Sequence, residues 1–147
     1  MPSPPAITIS PQQQAELFAA AQQAAGHAYA PYSGFRVGAA LLLEGGEIVA
    51  AANVENASYG LSICAERSAI ARAVAQHGPK LRVHAVAIAN LNDAPSSPCG
   101  ACRQVLSEFM PPNGIVLFPF NGTVQNRIQT HTLAELFPLG FNLAHAE

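Results

Sequence analysis

Every cysteine in the chain lies in one of two short stretches, Cys64-Ala65-Glu66 and Pro98-Cys99-Gly100-Ala101-Cys102. Zinc of the catalytic kind is held by three protein ligands and keeps a fourth position for water. Cys64, Cys99 and Cys102 can supply the three ligands, and Glu66 can supply a carboxylate that moves protons to and from that water. A closed structural site needs a fourth Cys or His. The chain has no fourth cysteine, and His27, His77, His84, His131 and His145 stand in no metal-like spacing to one another or to the cysteines. Taken singly, each thiol reads as a small buried hydrophobe and Glu66 as a surface acid. The reading rests on their conjunction.

Spacing supports it. Cys99 and Cys102 are three apart at a helix start, so both can face one point. Cys64 opens a second helix, and two helix N-termini then direct partial positive charge at the same ion, which favours thiolates. Glu66 sits two residues past Cys64, off the ligand's direction but within reach of a neighbouring water. Three thiolates leave a Zn2+ site net negative, which weakens its Lewis acidity. Arg67 and Arg103 are the candidate compensating charges. Arg67 is expected to donate hydrogen bonds to ligand sulfur, supporting the metal without binding it.

The surrounding pattern predicts the elements that position these residues. Met1 to Ile9, with prolines at 2, 4 and 5, reads as a flexible arm, and residues 10–147 as a single domain. Ser10-Pro11 caps a helix running to Ala25, with Leu17, Phe18, Ala21, Ala24 and Ala25 inward and Gly26 as its stop. Val37 to Leu43 and Glu47 to Val54 form an antiparallel hairpin about Gly45-Gly46. A helix covers Cys64 to Gln76, a strand Leu81 to Asn90 alternating at Val83, Ala85, Ala87 and Ala89, and a helix Cys99 to Met110. Strands follow at Ile115 to Phe120 and Thr123 to Ile128, joined at Asn121-Gly122, then a helix at Thr132 to Phe137. The order αββαβαββα implies a three-layer α/β/α sandwich around a five-stranded mixed sheet.

Composition narrows the partners. Of 147 residues 50% are hydrophobic and only 11% charged, against about 25% in an average soluble domain. So little charge predicts that part of the surface is buried against further copies of the chain. Net charge is −2, with seven basic residues and no basic run, which disfavours a nucleic-acid substrate. No apolar run reaches the ~18–20 residues that cross a membrane. The N-terminus lacks a signal-peptide pattern, and the odd cysteine count argues against a disulfide framework. A cytoplasmic protein is expected.

Cys64-Ala65-Glu66-Arg67 and Pro98-Cys99-Gly100-Ala101-Cys102-Arg103-Gln104 resemble the two zinc motifs of the small homotetrameric cytidine deaminases, with Cys where the wider superfamily often has His. Gly34-Phe35-Arg36-Val37-Gly38-Ala39-Ala40 is similar to that family's first-strand motif. Asn53-Val54-Glu55-Asn56-Ala57-Ser58-Tyr59 is similar to its ribose-binding segment. The likeness extends from the first helix to about Phe141, departing at Phe137-Pro138, where Leu-Pro is usual, and at Arg36, where Lys is more common.

The resemblance implies a cytidine deaminase-like fold, one Zn2+ per subunit and a homotetramer with sites near subunit interfaces. It implies hydrolytic deamination of cytidine and 2′-deoxycytidine in pyrimidine salvage, by zinc-activated water with Glu66 shuttling protons. Asn53 and Glu55 would hold the ribose 3′-hydroxyl, Phe35 would pack on the pyrimidine, and Ala65 with Glu66 would read the base edge. Ala57, Tyr59 and Phe141 would reach a neighbouring subunit's site. Two other readings stand beside this one: a same-fold deaminase of another aminopyrimidine nucleoside, and a zinc-stabilised interaction module without chemistry.

Overall fold

The protein is described from a computed structural model covering residues 5–120 and 128–143. Helix α1 (Pro11–Ala25) begins with a reciprocal cap. The Ser10 hydroxyl accepts from the Gln13 amide at 3.1 Å, and the Gln13 side chain accepts from the Ser10 amide at 2.9 Å. Pro11 sits where no helical N–H is needed. Leu17, Ala21 and Ala25 form the buried stripe, with Phe18 partly buried beside it. Gly26 ends the helix in the right-handed region, φ −63°, so its role differs from the left-handed cap that a glycine there suggests. The Arg36 guanidinium donates to the Gly26 carbonyl, placing a cation at the helix's negative end.

The strands are β1 (Val37–Leu43), β2 (Ile48–Ala52), β3 (Val83–Asn90), β4 (Ile115–Pro119) and β5 (Ile128–Thr132). They form one sheet in the order β2-β1-β3-β4-β5. Only β3 and β4 run parallel, so the sheet is mixed as expected. Their connection carries α3 (Gly100–Phe109), while α2 (Ala65–His77) links β2 to β3 and α4 (Leu133–Leu136) follows β5. α1 covers one face of the sheet; α2, α3 and α4 cover the other. Ala39, Leu41 and Leu43 of β1 face the three-helix side, and Ala40 and Leu42 face α1. This is the three-layer sandwich, and it explains why β1 is apolar throughout.

Several boundaries move for physical reasons. β2 stops at Ala52, and Val54 is bridged separately to Tyr29 and Ile63. In β3 the alternation holds for Ala85, Ala87 and Ala89 under α1, but Val83 joins Val86 and Ile88 on the other face. The register slips there, opposite Leu42 and Leu43. The expected turn at Asn121-Gly122 and most of the strand from Thr123 lie outside the described residues. The visible β5 extends to Thr132, where β4 still offers a partner in Ile115. Thr132 then caps α4 reciprocally with Glu135. A short 3-10 turn at Tyr59–Leu61 sits in the loop before α2. Among the described residues no helix is long and apolar enough to cross a membrane.

Close approach of α1 to the sheet depends on Gly38. A Cβ there would lie 1.9 Å from the Ala21 carbonyl oxygen and 2.6 Å from the Ala25 amide nitrogen. Both obstacles are backbone, so neither can rotate away. Gly38→Ala is expected to destabilise the fold by about 3 kcal/mol, at the upper end of overpacking costs. Urea denaturation followed by circular dichroism measures this, and an unchanged midpoint would contradict the contact.

Candidate active site

Cys64 and Cys99 are not inside their helices but cap them. Each has extended backbone, φ −67° and −68°, immediately before α2 and α3. The Cys99 sulfur accepts from the Cys102 amide at 3.4 Å, as a capping side chain does. Helices α2 and α3 pack against each other, which brings the two starts together. Cys64 Sγ lies 3.8 Å from Cys99 Sγ, which lies 3.4 Å from Cys102 Sγ. All three sulfurs fall within 4.8 Å of one another. Tetrahedral zinc with bonds of about 2.3 Å requires sulfurs about 3.8 Å apart. Donor chemistry and spacing therefore fit zinc. Among the described residues no further His, Cys or acid joins this group. Cys102 is buried and Cys99 exposed, so the cluster has a floor and an open side.

Electrostatics distinguish the cluster from three ordinary thiols. The Cys64 thiol is held down to about 5, chiefly by the neighbouring Cys102 thiol, against burial, and then by Arg67. Cys102 moves upward, because Cys64 lies beside it and because it is buried. Arg67 Nη2 donates to Cys64 Sγ at 3.4 Å, and Arg67 Nε is buried without a partner among the described residues. Arg103 acts elsewhere, donating to the carbonyls of Pro98 (2.8 Å) and Leu136 and so pinning the turn that presents Cys99.

Glu66 is the one buried charged side chain among the described residues, 4% exposed. Burial pushes its carboxyl up to about 7, with a further upward push from Cys64 opposed by backbone hydrogen bonding. A carboxyl poised there can take and return a proton near neutral pH.

Beside the cluster opens a cavity of about 490 Å3, within the range of small-molecule sites. Phe35, Asn53, Ala65 and Glu66 line it with Cys64 and Cys99, as do Ser96, Ser97 and Phe120. Phe35 is fixed by its neighbours' side chains. Its amide donates to Ser33 Oγ at 2.9 Å, and its carbonyl accepts from Asn53 Nδ2 at 2.8 Å. Asn53 Oδ1 also accepts from the Val37 amide at 2.9 Å.

The remaining candidates lie outside this cavity. The Glu55 carboxylate turns to the Tyr32-Ser33 loop, accepting both amides at 3.1 Å and the Ser33 hydroxyl. Those hydrogen bonds, led by the Ser33 hydroxyl, hold its carboxyl below the usual range. Ala57 and Tyr59 are exposed, Tyr59 by 84%. Phe141 is 68% exposed, and its carbonyl accepts from Gln104 at 2.9 Å.

Sequence reasoning missed the residues that hold the segment carrying Ser96. Asn90 donates to Ala94 O (2.7 Å) and Ser96 Oγ (3.0 Å) and accepts from the Asn92 and Ala94 amides. Asn92 reaches across to Gly34 O and the Arg36 amide. The available signal was Asn ending an apolar strand before Ser-Ser-Pro-Cys, a pattern suited to side-chain-to-backbone turns.

Residues 11–118 match the family model for the cytidine and deoxycytidylate deaminase zinc-binding region. A cytidine deaminase of Halalkalibacterium halodurans is 45% identical over 119 residues, covering 81% of this chain and 86% of that one. A blasticidin-S deaminase of Bacillus cereus is 34% identical, covering 71% of this chain and 76% of that one. Among solved structures, a cytidine deaminase of Burkholderia pseudomallei superposes with TM-score 0.78 at 38% identity, covering 90% of this chain and all of that one. With three sulfurs spaced for zinc, a buried acid beside them and a match spanning most of its length, the chain belongs to the cytidine and deoxycytidylate deaminase zinc-binding family.

Proposed function

We propose that the protein hydrolyses cytidine and 2′-deoxycytidine to uridine and 2′-deoxyuridine, releasing ammonia. The observation that carries this reading is Glu66, a buried carboxylate at the junction of the three-sulfur cluster and the cavity. The names of the cytidine deaminase relatives support the substrate.

Cys64, Cys99 and Cys102 would hold zinc, which would act as a Lewis acid and lower the pKa of a water molecule beside Glu66. Glu66 accepts a proton from this water and delivers it to N3 of the cytosine ring. The water oxygen bonds to C4. Glu66 then carries the remaining hydroxyl proton to the exocyclic amine, the C4–N bond breaks, and ammonia departs. One water enters and one ammonia leaves, so the atoms balance. Arg67 withdraws electron density from Cys64 and offsets the negative charge of the thiolates.

Phe35 packs on the pyrimidine, and the Ala65 backbone with Glu66 reads the base edge. Asn53 keeps one N–H and one lone pair beyond its bonds to Phe35 and Val37, enough to engage a sugar hydroxyl. Glu55 accepts three hydrogen bonds of the roughly four that a carboxylate can take, and its free position serves the 3′-hydroxyl. The likeness to a blasticidin-S deaminase favours a second reading, deamination of another aminopyrimidine nucleoside, which a substrate panel decides.

The working unit is a homotetramer in the cytoplasm, serving pyrimidine salvage. Val54, Tyr59, Leu61 and Ile63 are exposed around one loop, and Leu139, Phe141 and Leu143 at another. Apolar patches of this kind mark contacts with partners. Ala57, Tyr59 and Phe141 then meet the active site of a neighbouring subunit.

Glu66→Gln is expected to keep one zinc per chain and lose about 10⁴-fold in kcat, because base and acid steps share one group. Metal analysis alongside loss of the cytosine absorbance band tests this; sustained turnover would falsify the assignment. Arg67→Ala should weaken zinc affinity or turnover about 10–100-fold, read by chelator competition and steady-state rates. Unchanged values for both would remove Arg67 from the site. Light scattering at micromolar concentration should give about four times 15.3 kDa; a monomer mass contradicts the tetramer.

A further inference from the structure

Three side chains and the Phe35 backbone form one hydrogen-bonded chain. The Ser33 hydroxyl accepts the Phe35 amide at 2.9 Å and donates its single proton to Glu55 Oε2. Phe35 passes the connection on, since its carbonyl accepts from Asn53 at 2.8 Å. The loop carrying Ser33 is held beside the Asn53–Glu55 segment by backbone bonds, Tyr29 N to Asn53 O at 3.0 Å and Glu55 N to Tyr29 O at 2.8 Å. The two residues assigned to the sugar thus bracket the one assigned to the base, and Ser33 is the only side chain touching both ends of the Glu55–Phe35 link among the described residues.

The two oxygens of Glu55 are not held alike. Oε1 receives two backbone amides, from Tyr32 and Ser33, at 3.1 Å each. These survive any side-chain change. Oε2 is held by the Ser33 hydroxyl alone. Without that hydroxyl the carboxylate can pivot about Oε1, and the Phe35 amide loses its acceptor.

We propose that Ser33 is a positioning residue, which locks the Glu55 carboxylate and the Phe35 backbone into one unit and so couples sugar recognition to seating of the base. This rests on the reading of Glu55 as the partner of the 3′-hydroxyl. Ser33 is exposed and lies outside the sheet, so Ser33→Ala keeps the fold, which thermal melting and zinc content verify.

Steady-state kinetics with cytidine and 3′-deoxycytidine test the proposal on wild type, Ser33→Ala, Ser33→Thr, Glu55→Gln and the Ser33→Ala/Glu55→Gln double variant. A hydrogen bond to a charged group corresponds to about a 10-fold change. Ser33→Ala should raise KM for cytidine about 10-fold with little change in kcat, the signature of lost binding common to ground and transition states. Preference for cytidine over 3′-deoxycytidine should fall by less than this factor, because the share lost through Phe35 is common to both substrates. Ser33→Thr, which keeps a hydroxyl, should restore both. The double variant should lose less than the two single losses combined, because Ser33 and Glu55 act through a shared hydrogen bond. Equal losses on both substrates, or full additivity in the double variant, would overturn the role of Ser33. A distinct failure, Glu55→Gln keeping its whole preference for the 3′-hydroxyl, would overturn the sugar reading and the proposal with it.

Discussion

Three sulfurs are gathered where two helices begin, and the rest of the site follows from that convergence. Sulfurs 3.4 and 3.8 Å apart cannot all be thiolates in a partly buried place unless positive charge is supplied. Helix starts provide part of it as unpaired N–H groups and dipole. Arg67 provides more, and a divalent cation completes it. The parallel β3–β4 pair forces the long crossover that contains α3, and α2 enters the same layer from β2. Packing these helices against one face of the sheet is what places Cys64 beside Cys99.

Burial pushes both neighbouring acids upward, and their other partners separate them. Cys64 is driven towards its charged form by hydrogen bonds and Arg67, against burial, whereas Glu66, two residues on, is driven towards its neutral form by desolvation. Separating two adjacent acids in this way lets one residue act as ligand and the other as proton carrier. Beside the cluster the cavity is lined by backbone held by side chains: Asn53 and Ser33 grip Phe35, and Asn90 and Asn92 hold the Ala94–Ser96 and Gly34–Arg36 segments.

Much of this was legible in the residues themselves. Ser10-Pro11 with Gln13, the apolar run Val37–Leu43 and the i, i+3 cysteines each have a local cause, and each lies where expected. The layers followed from the order of elements, αββαβαββα. What escaped was non-local. Val83 changes face because of a slipped register between strands forty residues apart. Asn53 and Glu55, paired by the resemblance on one sugar hydroxyl, diverge here: Asn53 lines the cavity while Glu55 turns to Ser33. The pairing with a loop twenty-two residues earlier leaves no trace in periodicity. The Asn90–Asn92 clamp is equally silent, since asparagine after a strand reads as an ordinary turn.

The coordination sphere itself is the most direct measurement. X-ray absorption at the zinc edge of the metal-loaded protein should report three sulfur scatterers at about 2.3 Å and a single lighter atom in the fourth place. Four sulfurs, or fewer than three, would mean that the convergence of Cys64, Cys99 and Cys102 is not the metal centre described.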